Sequence, residues 1–156
     1  MHMQVPEQKN ELERDTIDRL QKLIHFNIDS AGAFTAAADA LESPTVRARL
    51  RTIASERQAQ AAELQHFVAL NHVAPADGGT FRGALRTSWM QLHAAVTSND
   101  VAVLRDAERA EDHMKEAYEH AIIKTAGTPV SDTLREHYDR VRAQATALHD
   151  IREVLT

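Results

Sequence analysis

A chain of 156 residues suits one domain with room for a sizeable core, and 43% hydrophobic against 26% charged residues argues against disorder. Scarce glycine, 4% aromatics and frequent Ala, Leu, Glu and Arg exclude a sheet-rich architecture and place the chain in the all-α class. A net charge of −5 with both signs interspersed gives no basic field for a nucleic-acid backbone, and zero cysteines exclude disulfides, thiolate nucleophiles, iron–sulfur clusters and thiolate zinc sites.

Met1 to Asp15 is polar, without an apolar core for export, and no later run is apolar and long enough to span a bilayer. A cytoplasmic protein without membrane attachment is expected, with residues 1–9 disordered and 10–156 forming one domain. Asn10 with Glu13 resembles a capping box and opens helix A, whose pattern runs to about Glu42. Ser43 before Pro44 is an N-cap followed by proline at the first helical position, so helix B starts there and ends near His72, ahead of Pro75. Asp77, Gly78 and Gly79 break the chain. A short helix C spans roughly Phe81 to Thr97, and its Phe81, Leu85, Trp89, Leu92 and Val96 recur at helical period as a docking face. Asn99 caps helix D, which runs to Gly127, and Thr128 with Pro129 repeats the start signal for helix E, which continues nearly to Thr156.

Projected at ~100° per residue, each long helix shows one dominant apolar face. Helix A aligns Leu12, Leu20, Leu23, Ile24, Ala31, Phe34, Ala38 and Leu41, with His25 and Asp29 pointing outward. Helix B aligns Val46, Leu50, Ile53, Ala61, Leu64 and Val68, with Glu56 on the border. Helix D offers Val103, Leu104, Ala107, Met114, Tyr118 and Ala121, and helix E Val130, Leu134, Tyr138, Val141 and Leu148. Two antiparallel hairpins, A with B and D with E, joined by a crossover that carries helix C, give the topology of a ferritin-like four-helix bundle in which B and D run parallel.

Polar residues interrupt these stripes. Asn27, Arg57 and Glu111 lie near the middle of three of them, and Gln144 sits on the shoulder of the fourth. Counted from the bundle ends, the four fall within about five residues of one axial level, or ~8 Å at helical rise. Burying an unpaired charge costs several kcal/mol, so such a layer must pair its members, coordinate something or open to a cavity. In the economical reading Arg57 forms a bidentate pair with Glu111 or with Glu56, while Asn27 and Gln144 satisfy the remaining donors and acceptors, and no cofactor is required. The alternative is a reduced metal site for iron or manganese built from Glu56, Glu111 and His137. The full carboxylate-bridged di-iron pattern needs two Glu-x-x-His spacings, and only Glu63 with His66 matches. No complete catalytic motif is present.

Leu23-Ile24 with Asn27, Ser55-Glu56-Arg57, Ala62-Glu63-Leu64, Trp89 with Leu92, and Ala107 to Asp112 running on to Tyr118 resemble an uncharacterised bacterial ferritin-like four-helix-bundle family. Phe34 and Ala110 stand where that family would carry tyrosine and glycine. The resemblance implies the bundle fold and, at family level, a stress-related role, without naming a reaction. Ala33, Ala36 and Ala40 on helix A with Ala59, Ala62, Ala69 and Val73 on helix B form a second stripe of small residues, expected to support a homodimer. The expected function is a structural or interaction role, with non-haem metal, oxygen or peroxide handling as its rival.

Overall fold

The computed structural model describes residues 12–78 and 100–156. Four helices are formed: α1 Arg14–Ala40, α2 Pro44–Leu70, α3 Asp100–Lys124 and α4 Ser131–Leu155. These correspond to helices A, B, D and E; residues 1–9 and helix C lie outside the described residues.

The helix ends show which capping signals act. Ser43 accepts a hydrogen bond from the Val46 amide at 3.4 Å, with Pro44 in the first turn. At the other end of α2, His72 takes a left-handed φ of 61°, the Val73 amide reaches back to Val68 and the His72 amide to Ala69. That is the reverse-turn cap usually given to glycine, here built on histidine. Thr128 does not cap α4. Its hydroxyl donates to the Thr125 carbonyl at 2.7 Å, tightening the α3–α4 turn, and α4 begins after Val130 without a side-chain cap. Likewise α1 starts at Arg14, preceded by Glu13 with no side-chain cap, and Asn10 lies outside the described residues.

Each hairpin is closely packed, α1 on α2 and α3 on α4, and the hairpins meet through α1 against α3 and, less closely, α2 against α4. The Asp100 carboxylate accepts from the backbone amides of Ser43 at 3.1 Å and Glu42 at 3.4 Å, which places the start of α3 beside the start of α2. Glu56 with Gln144 and Glu63 with His137 set α4 antiparallel to α2. Thus α2 and α3 run parallel on the bundle diagonal, and α2 ends about 40 Å away from where α3 begins, given its 27 residues.

At the far end Asn71 accepts from the Leu12 amide at 2.8 Å, joining the start of α1 to the end of α2. The chain then turns back along α1. Gln21 donates to the Ala74 carbonyl and accepts from the Ala76 amide, and Gly78 lies against Ile28. The burial of α1 corrects one expectation, because it extends over more than one stripe: Asp29 is 3% exposed and His25 is half-buried, rather than both facing water.

The apolar core falls into two clusters. One holds Phe34, Leu41, Leu50, Ile53, Leu104 and Leu148, and the other Leu20, Leu23, Ile24, Leu64, Val68, Tyr118, Leu134 and Val141. Every helix contributes to both, and the polar residues of the stripes lie between them.

Candidate functional site

Position along each helix delivers the layer. Asn27 on α1, Arg57 on α2 and Glu111 on α3 are completely buried, and Gln144 on α4 is nearly so. Arg57 pairs with Glu111 across the diagonal, through one guanidinium nitrogen and one carboxylate oxygen, and both side chains are 0% exposed. Its other terminal nitrogen donates to Gln60 at 3.4 Å, so the pair is single-pronged rather than bidentate. Gln60 in turn donates to the His137 carbonyl at 3.4 Å. Burial pushes the Glu111 carboxyl above its ordinary value, and the charge and hydrogen bond of Arg57 oppose that shift.

Glu56 is not the partner of Arg57. It accepts from Gln144 at 3.0 Å, and Arg49 donates to Gln144 at 3.4 Å, so Gln144 belongs to a half-buried cluster at the α2–α4 seam. Asn27 is likewise engaged elsewhere. Its amide nitrogen donates to the Leu23 carbonyl and to the Tyr118 hydroxyl, each at 2.8 Å. The expected service of Asn27 and Gln144 to the ion pair is therefore performed by Gln60, one helical turn beyond Arg57 on the same face.

A second chain of contacts leaves the layer through the side of the bundle. The Tyr118 hydroxyl lies 3.0 Å from His137 Nδ1, and His137 Nε2 lies 3.3 Å from a carboxylate oxygen of Glu63, whose side chain is 52% exposed. The two rings meet edge to face, with centroids 5.7 Å apart. Burial raises the Tyr118 phenol well above its ordinary value and lowers His137, with Glu63 pulling the histidine partly back. Tyr118, Gln60 and Glu63 were not among the sequence-derived layer residues. Gln60 could have been found by its three-residue spacing from Arg57, and Tyr118 by asking where a buried phenol places its hydroxyl.

Glu56, Glu111 and His137 do not converge. Each takes a different partner, and both ring nitrogens of His137 are engaged, by Tyr118 and Glu63. Among the described residues no group of three or more His, Asp or Glu is arranged to hold a metal ion. His66, of the single Glu-x-x-His spacing, is exposed while Glu63 turns to His137.

A family model described as a domain of unknown function (DUF2383) matches residues 15–124. The chain belongs to the DUF2383 family. Nothing among the curated proteins matches it. The DUF2383 match spans α1, α2 and α3 and so includes Asn27, Arg57, Gln60, Glu63, Glu111 and Tyr118, whereas His137 and Gln144 are carried by α4, beyond it. Among the described residues no helix is long and apolar enough to cross a membrane.

Proposed function

We propose that this DUF2383 chain is a ferritin-like bundle with a structural or interaction role, in which the Arg57–Glu111 pair holds helix register and no metal is needed at the layer. The observation that carries this reading is that Glu111, the carboxylate most centrally placed for a cation, is held by a guanidinium inside a sealed core. A second positive charge there would meet Arg57 without water to screen it. The parallel diagonal of α2 and α3 supports the ferritin-like assignment. A homodimer is part of the reading: of the small-residue stripe, Ala36 on α1 and Ala59, Ala62 and Ala69 on α2 are exposed and Ala40 is half-buried, whereas Ala33 belongs to the core and the exposed Val73 lies beyond the end of α2. The family-level expectation of a stress-related role is retained with it.

The test is elemental mass spectrometry on untagged protein made in iron- and manganese-supplemented medium and purified without chelator. Metal well below stoichiometry, together with a Glu111→Gln destabilisation of equal size with and without added iron or manganese, is expected. Near-stoichiometric metal that is lost in Glu111→Ala and retained in Glu116→Ala would replace this reading with a non-haem metal protein. Sedimentation velocity showing only monomer at high concentration removes the dimer.

A further inference from the structure

The hydrogen bonds around Tyr118 have a direction that geometry alone assigns. The Asn27 atom facing the Leu23 carbonyl must be the nitrogen, since two oxygens would repel at 2.8 Å, and the same atom faces the phenol. The phenol oxygen therefore accepts from Asn27, and its own proton must go to its other partner, His137 Nδ1 at 3.0 Å. That nitrogen is then the unprotonated one. The imidazole proton sits on Nε2 and donates to Glu63, so the chain runs Asn27 to Tyr118 to His137 to Glu63, one donor after another, from a sealed core to a side chain in contact with water.

We propose that Tyr118 is a redox-active phenol, which gives one electron to a radical-type oxidant while its proton passes to His137 and is released through Glu63. Loss of an electron turns a phenol O–H into a strong acid, and in an apolar core that proton needs a base already in hydrogen-bond contact. His137 is that base, held neutral by its own burial. The phenol does not ionise by itself at neutral pH, because burial works against the phenolate, so its proton leaves with the electron.

The step balances. A one-electron oxidant X• becomes X⁻, the Tyr118 O–H bond breaks to leave a neutral phenoxyl radical, an N–H bond forms at His137 Nδ1, and the Nε2 proton moves to Glu63 and then to water. A reductant of the thiol or ascorbate class reverses it by returning an electron, with a proton drawn back along the same path. The chain has no cysteine to compete for oxidation, one tryptophan, Trp89, whose indole radical is spectroscopically distinct from a phenoxyl, and two tyrosines in all. The second, Tyr138, hydrogen-bonds Glu119 at the surface, where a radical would be open to coupling, whereas Tyr118 is wholly enclosed.

The experiment uses photogenerated ruthenium(III) tris-bipyridine as the one-electron oxidant, with electron paramagnetic resonance and transient absorption on the full chain. A tyrosyl signal is expected in wild type and should persist in Tyr138→Phe, where Tyr118 is the one tyrosine left. In His137→Gln, whose amide oxygen keeps the hydrogen bond but takes no proton, formation of the Tyr118 radical is expected to slow about 100-fold or more, the scale of a lost general base. Glu63→Gln, at the half-exposed end, should slow it less and lower the solvent isotope effect. Absence of a tyrosyl signal in Tyr138→Phe overturns the proposal, as does an unchanged rate in a folded His137→Gln. Should His137→Gln fail to fold, Glu63→Gln decides: an unchanged rate and isotope effect there overturn it as well.

Discussion

Arg57 reaches Glu111 across the diagonal of the bundle, joining α2 to α3 with both side chains sealed from solvent. Either charge left alone would lie in hydrocarbon between the two apolar clusters. Glu111→Ala should therefore cost about 3–5 kcal/mol, whereas the double change Arg57→Met with Glu111→Leu should return stability to within about 1 kcal/mol of wild type. Urea unfolding of the two single variants and the double variant at one pH measures this directly.

His137 sets a pH dependence. Its folded value lies below the ordinary 6.5 because of burial, so between the two values the unfolded chain binds the extra proton and the folded one does not. The contribution is complete above pH 6.5 and is lost as pH falls through the folded value. Glu111, raised by burial from 4.5, acts in the opposite sense, its contribution being lost as pH rises. Comparing wild type with His137→Gln across this range cancels Glu111, which both share, and the variant should show the weaker loss on acidification.

Asp100 ties the α1–α2 connection to the start of α3 through two backbone amides. Hydrogen bonds to a charged acceptor are worth about 1.5–3 kcal/mol when buried, and this site is partly solvated, so Asp100→Ala should cost about 1–2 kcal/mol. Asp100→Asn, which keeps one acceptor oxygen, should cost about half of that, and thermal melts of the pair test the ratio.

Two glycines offer a matched comparison. Gly78 has φ +99° and a Cβ built there would come 2.9 Å from Ile28 Cγ2, whereas Gly127 has φ +82° and nothing within 4 Å. Gly127→Ala should show only the backbone cost of about 1 kcal/mol. Gly78→Ala should add a steric part of about 1 kcal/mol or more. That added part should shrink when Ile28→Ala is introduced beside it, which a double-mutant cycle reads out.

Much of this arrangement is legible in the sequence because helical periodicity reports angular position. Asn27, Arg57 and Glu111 project onto apolar stripes, and their side chains lie inside the bundle. Periodicity does not say which neighbour a buried group meets, since that depends on axial offsets of a few ångströms between helices. Arg57 had two carboxylates within reach by projection, and the offset brings it to Glu111 and leaves Glu56 to Gln144. Tyr118 counts as apolar in such a projection, which hides the hydroxyl around which Asn27 and His137 gather. Asp29 projects away from the apolar stripe and is nevertheless buried, so the stripe understates how much of α1 is covered; the irregular segment 73–78, which reaches Gln21 and Ile28, is one covering that a helical wheel does not anticipate.

The family match ends at the last residue of α3, yet neither half of the core closes without α4. Leu148 completes one cluster, and Val130, Leu134 and Val141 complete the other. A fragment trimmed to the matched span would leave Leu104, Tyr118 and Leu64 facing water along a trough the length of the bundle, and Glu63 without its histidine. The apolar clusters and the family model thus span different lengths of chain, and any minimal version of this protein should keep α4.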